Sequence, residues 1–69
     1  MTASIQVNGE SRKLSAPNLV ELLRQEALDP GRRGIAIALN GAVVPRRAWP
    51  ETPLEPGDVV EIVKPFAGG

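Results

Sequence analysis

Hydrophobic and polar positions alternate near the start of the chain, where Ile5 and Val7 are spaced by Ser4, Gln6 and Asn8. A period of two predicts a strand with one face turned inward. Asn8-Gly9 follows, and this dipeptide suits a two-residue hairpin because both central residues of that turn need positive φ. "SRKL" then returns as a second strand with Leu14 on the inner face. After Pro17 the period changes. Asn18 precedes Glu21 by the spacing of a capping box, and Leu19, Val20, Leu22, Leu23 and Ala27 recur at helical intervals, giving one apolar stripe. "LDPGRRG" is expected to end this helix, since Pro30 cannot continue it and Gly31 and Gly34 suit a turn.

The rest of the chain returns to strands. "IAIAL" reads as a buried strand, "NG" as a second hairpin signal and "AVV" as the answering strand. Pro45, Pro50, Pro53 and Pro56 make the following stretch a loop, with at most a short helical turn near Trp49 and a short strand beyond it. "PGD" is a turn and "VVEIVK" the last strand. Four to five strands against one helix is an α+β arrangement. The first hairpin and the last strand flank the helix in sequence, so they pair most simply in the middle of the sheet, in parallel. Alternation sends Ile35, Ile37, Leu39, Val60 and Ile62 toward the helix, and Ala36, Ala38, Val59 and Val63 to the opposite face.

Composition narrows the function by subtraction. Sixty-nine residues allow one domain, and a chain this short buries only about 60% of its unfolded surface, which leaves no room for a deep catalytic cavity. Eight basic residues balance eight acidic ones, so the electrostatic footprint of a nucleic-acid binder is missing. Arg32-Arg33 and Arg46-Arg47 read as solvated loop charges or, for either pair, as a dock for an acidic partner. The longest apolar run, "IAIAL", falls far short of the roughly 20 residues of a membrane span, and no basic segment leads into a hydrophobic stretch at the N-terminus. A cytoplasmic protein is expected. With no cysteine and no histidine, disulfides, thiolate metal sites, a persulfide on the chain and the commonest general base are all excluded, and no metal site is expected.

Prosthetic-arm carriers fit no better. Ser4, Ser11 and Ser15 lack the Asp-Ser-Leu context of acyl carriers, and Lys13 and Lys64 lie in no biotinyl-type hairpin turn. What remains is the end of the chain, "VKPFAGG". Glycines have no Cβ, so Gly68 and Gly69 make the thinnest possible chain and accept almost any torsion. Residues 1–64 read as the folded domain and 65–69 as an extended, flexible tail. Fully extended, Pro65 to Gly69 reach about 17 Å beyond the sheet.

"VNG" near the start, "LVELL", "ALNGAVVPRRAW", "LEPGDVVEIV" and the terminal "GG" together resemble, over nearly the whole chain, the sulfur carrier proteins of thiamine biosynthesis, which have the ubiquitin-like β-grasp fold. They resemble more loosely the small subunit of molybdopterin synthase, which usually carries two adjacent prolines before its tail where this chain has only Pro65. The specific part is Asn40-Gly41 with Val44-Pro45-Arg46, Trp49 and the terminal glycines. The resemblance implies a protein that is a substrate of enzymes rather than an enzyme, with no bound cofactor. An ATP-consuming, E1-like adenylating enzyme would activate the Gly69 carboxylate, sulfur supplied indirectly by a desulfurase would convert it to a thiocarboxylate, and a thiazole synthase would accept that sulfur. Phe66, Ala67 and Gly68 would thread into the partner. Ala36, Ala38, Val59 and Val63 read as an ordinary thinly covered sheet face or as a flat patch that receives the activating enzyme or the thiazole synthase. Trp49 reads as a plug at the core edge or a partner contact. Phe66 reads as a last core contact or an anchor. Asn40, Gly41 and Gly57 read as turn residues only. A molybdopterin-type carrier, a ubiquitin-like modifier conjugated through Gly69, and a binding module with an incidental tail remain as alternatives.

Overall fold

A computed structural model of the chain describes residues 3–65. Strands β1 (Ser4–Val7) and β2 (Glu10–Lys13) form the first hairpin, helix α1 (Leu19–Gln25) crosses over, β3 (Ala36–Leu39) and β4 (Ala42–Val44) form the second hairpin, a 3-10 helix covers Arg46–Glu51, and β5 (Val59–Val63) closes the sheet. The order across the sheet is β2-β1-β5-β3-β4. β5 lies at the centre, parallel to β1 and antiparallel to β3, which is the central pairing expected from the pattern. The expected short strand after Trp49 is reduced to a single bridge between Asn18 and Pro53.

One face of the sheet is dry. Ile5 and Val7 of β1, Ile37 of β3, and Val60 and Ile62 of β5 are buried against Leu19, Leu22 and Leu23 of α1, with Ile35, Leu54, Ala16 and Trp49 completing the core. Each such aliphatic side chain contributes about 1.5–3 kcal/mol on burial, and this holds α1 in place, because seven residues are too few for a helix to persist alone. The helix begins as its sequence implies: the Asn18 side chain accepts a hydrogen bond from the Glu21 N–H at 2.9 Å. The return half of the box is absent. The Glu21 carboxylate instead accepts from Arg24 at 3.0 Å.

The helix ends earlier than "LDPGRRG". Glu26 is its C-cap, and Ala27, expected on the apolar stripe, lies beyond the helix, exposed, with φ of +62°. The Leu28 N–H bonds back to the Leu23 carbonyl at 2.8 Å and the Ala27 N–H to the Arg24 carbonyl at 3.0 Å. This is a Schellman closure, in which the left-handed residue is usually glycine. Leu28 packs on the core, and that apolar contact is what draws the chain out of the helix before the proline is reached.

Both Asn-Gly pairs make hairpin turns as expected, with Asn8 and Asn40 at φ of 52° and 51°. They do more than turn. β1 curls into its hairpin after Val7, so the next backbone unit that would pair with β5 is missing, and the Asn8 side chain replaces it. Its Oδ1 accepts from the Ile62 N–H at 2.7 Å and its Nδ2 donates to the Ile62 carbonyl at 3.2 Å. Across β5, Asn40 Oδ1 accepts from the Val59 N–H at 2.8 Å, while the Asn40 N–H donates to the Val59 carbonyl at 2.7 Å. Asn40 is therefore not a turn residue only. Two side-chain amides extend the ladders on either side of the central strand.

Candidate functional site

β5 runs toward the C-terminus, so the end of the sheet where it finishes is where the tail begins. Register sets its neighbours there. Ala36 lies opposite Val63, and Ile37 opposite Val44 on the other side; the segment entering β3 and the segment leaving β4 therefore meet at the root of the tail. Gly34, two residues before Ala36, lies against Pro65, two residues after Val63. A Cβ on Gly34 would come within 2.8 Å of the Pro65 Cβ.

The segment after β4 braces this loop. Trp49 is 2% exposed and donates its indole N–H to the Val44 carbonyl at 3.0 Å; it is the core plug, the first of its two readings. Arg46 stacks over its ring at 4.5 Å. The same guanidinium donates to the Pro30 carbonyl and, at 2.6 Å, to the Arg32 carbonyl. Arg46 is therefore not simply a solvated charge: its planar fork can serve two carbonyls while its face rests on an aromatic ring. Asp29 pins the start of the loop, accepting from the Gly31 N–H at 2.9 Å.

Among the described residues the ion pairs are Arg12 with Glu10 and Glu26, and Arg24 with Glu21. Arg12 is held more firmly protonated than a free guanidinium, first by its hydrogen bond to Glu10 and then by the charge of Glu26. Arg32, Arg33, Arg46 and Arg47 have no carboxylate partner within that set. They belong to the two segments that meet beside Pro65, which also carry Asp29 and Glu51, and Lys64 precedes Pro65 in the chain.

Ala36, Ala38, Val59 and Val63 share the face of the sheet turned away from α1. Val59 is 40% and Val63 62% exposed. Two further residues belong to this face. Val43, 78% exposed, pairs with Ala38 from β4, and Glu61 pairs with Ala38 from β5. The patch is thus wider than sequence alternation suggested, and it carries a carboxylate among its valines. Strand alternation in "AVV" and "VVEIV" could have found both residues once the register was known.

Gly69, Gly68, Ala67 and Phe66, the expected sulfur attachment and threading residues, lie outside the described residues, as does most of the expected 65–69 tail. Among the described residues no pocket and no cluster of metal-ligating groups is found, and no helix is long and apolar enough to cross a membrane. The candidate site is therefore the tail root, the braced loop beside it and the exposed sheet face.

A mixed five-stranded sheet with a parallel central pair, packed on one helix and leading from its central strand into the C-terminal residues, defines a ubiquitin-like β-grasp protein. The chain belongs to the ThiS family, whose family model matches residues 5–69. It is 35% identical over 65 residues to the sulfur carrier protein ThiS of Thermus thermophilus, covering 94% of this chain and 98% of that one. To the sulfur carrier protein ThiS of Escherichia coli it is 35% identical over 66 residues, covering 94% and 97%. The crystal structure of the thiamine biosynthesis protein ThiS from Geobacter metallireducens superposes with a TM-score of 0.75 at 30% identity, covering 96% of this chain and 99% of that one.

Proposed function

We propose that this chain is a sulfur carrier that donates sulfur for thiazole formation in thiamine biosynthesis, with Gly69 as the point of attachment. The observation that carries this reading is the extent of the family match, which runs from β1 through residue 69 and so includes the terminal glycines. The chemistry requires help from a partner. A terminal carboxylate has an ordinary pKa of roughly 3.5 and is ionised at neutral pH, which makes it a poor acyl electrophile. In an adenylating enzyme, a Gly69 carboxylate oxygen attacks the α-phosphorus of ATP and pyrophosphate leaves. Hydrosulfide then attacks the acyl carbon, AMP leaves and the sulfur's proton goes to solvent, which gives a thiocarboxylate. This chain supplies no side-chain thiol, because it has no cysteine, and attachment at the terminus needs none.

Phe66, Ala67 and Gly68 enter the partner's nucleotide site while the folded body stays outside, docked through Ala36, Ala38, Val59 and Val63. The exposure of that face supports the reading, and Val43 and Glu61 enlarge it. A thiazole synthase then receives the same tail. The test is intact-mass analysis of the protein isolated from its native cells. Replacement of one oxygen by sulfur, mapped to Gly69, is expected. A Gly69 isopeptide bond to another protein would turn the assignment to a modifier, and an unaltered carboxylate under conditions of active thiamine synthesis would count against both.

A further inference from the structure

We propose that Gly34 and Arg46 are positioning residues that aim the tail: Arg46, stacked on Trp49, holds the loop before β3, and Gly34 in that loop seats Pro65 and so fixes the direction in which the chain leaves β5. The inference rests on the sulfur-carrier reading for its consequence but not for its geometry.

Two independent constraints meet at Gly34. Its φ is +89°, and an added Cβ would lie 2.8 Å from the Pro65 Cβ and 3.5 Å from its Cα. Gly57 has the same backbone conformation, φ +86°, with nothing within 4 Å of an added Cβ. Torsion alone therefore does not distinguish the two glycines; only Gly34 touches the tail root. Relief of the Gly34 contact to the 3.4 Å lower limit of ordinary van der Waals contact needs 3.4 − 2.8 = 0.6 Å of movement. Pro65 is the flexible side of that contact, because the loop side is bonded. Arg46 serves the Pro30 and Arg32 carbonyls from a guanidinium seated over the Trp49 ring, and Trp49 is itself buried and bonded to the Val44 carbonyl. A continuous line of contacts thus joins the core to Pro65. Proline adds stiffness at its end, since its φ is fixed near −65°. The exit direction at Pro65 sets where the tail starts when the folded body docks on an adenylating enzyme, and catalytic geometry misplaced by about 1 Å commonly costs on the order of a hundredfold in rate.

The experiment compares the full chain with its Gly34→Ala, Gly57→Ala, Arg46→Ala and Arg46→Lys variants. Two quantities are read for each: ATP-pyrophosphate exchange with the adenylating enzyme, and residual dipolar couplings of the Val63, Lys64, Phe66 and Ala67 amides together with the Cα–Hα pair of Pro65, which has no N–H. Gly34→Ala and Arg46→Ala are expected to lower the exchange kcat by about tenfold or more, with KM nearly unchanged because the docking face is intact, and to shift the couplings beyond Val63. Gly57→Ala carries the same torsional strain and is expected to keep wild-type kcat and couplings. Arg46→Lys retains the charge but neither the fork nor the stacking plane, so it should follow Arg46→Ala. Unchanged couplings in Gly34→Ala overturn the inference whatever the enzyme does. Unchanged kcat with shifted couplings overturns its functional part. A wild-type chain that supports no exchange sinks the carrier reading instead, and the couplings still decide the geometry.

Discussion

Ala27 sits in a conformation that its side chain resists. A left-handed alanine costs roughly 1–2 kcal/mol relative to an unstrained residue, and the Schellman closure around it usually recruits glycine. Ala27 is exposed and past the end of α1, so no burial offsets this strain. Ala27→Gly is therefore expected to stabilise the domain by about 0.5–1 kcal/mol, after the extra backbone entropy of glycine in the unfolded chain is subtracted. Urea denaturation measures it, and a destabilised variant would show that the strain is already relieved elsewhere. Ala27 also shows where sequence reading stops at this scale. Its spacing from Leu23 fits a helix as well as the other positions do, and only the pull of Leu28 into the core decides otherwise. Asn8 and Asn40 are the converse case. Their turns were legible because torsional preference is local, whereas their bonds to Ile62 and Val59 link positions far apart in sequence and depend on the order of strands.

At the scale of elements, the sheet shows two faces of opposite character built from the same strands. Period-two alternation made the inner face legible almost residue by residue, since Ile5, Val7, Ile37, Val60 and Ile62 are all buried. The outer face was legible only in part, because exposed positions leave no periodic signal of their own extent; Val43 and Glu61 join it through pairing with Ala38. If this face receives the adenylating enzyme, Val63→Glu should leave stability within about 0.5 kcal/mol of wild type, as an exposed substitution does. The same change should raise the KM for exchange several-fold while kcat holds. An unchanged KM for Val63→Glu and for Val43→Glu would remove the face from the docking reading. The braced loop is an element of another kind. Arg46 looked like one of four solvated arginines, and its role emerges only when β4 returns it beside the entry to β3.

On the carrier reading, the whole molecule separates a folded body from the chemistry at its end. Deleting Gly68 and Gly69 should leave the melting temperature nearly unchanged, because among the described residues the buried core ends at Ile62, and should abolish adenylation. A large fall in melting temperature would make the terminal residues structural. Gly68→Val should also impair exchange strongly, since a β-branched side chain both widens the chain and restricts its torsions; a wild-type rate would mean that no narrow channel is threaded. Growth of a host lacking its thiamine sulfur carrier, on medium without thiamine, assigns the pathway. Rescue of a molybdenum-cofactor defect alone would move the chain to the other branch that its sequence resembles.

The two amides that flank β5 also give this protein a chemical clock. Each stands before a glycine, the neighbour that least hinders attack of the following backbone nitrogen on an asparagine side chain, with loss of ammonia and conversion to aspartate or isoaspartate. At position 8 the new carboxylate would face the Ile62 carbonyl where Nδ2 now donates; at position 40 it would face Asp58, whose carboxylate now accepts from the Asn40 amide at 3.0 Å. Prolonged storage at mildly alkaline pH should therefore yield acidic forms altered at these two sites that melt below fresh protein. Peptide mapping that finds the conversions with no loss of melting temperature would mean that the central strand does not depend on them. The signals that make the hairpins easiest to read are thus also where the molecule ages first.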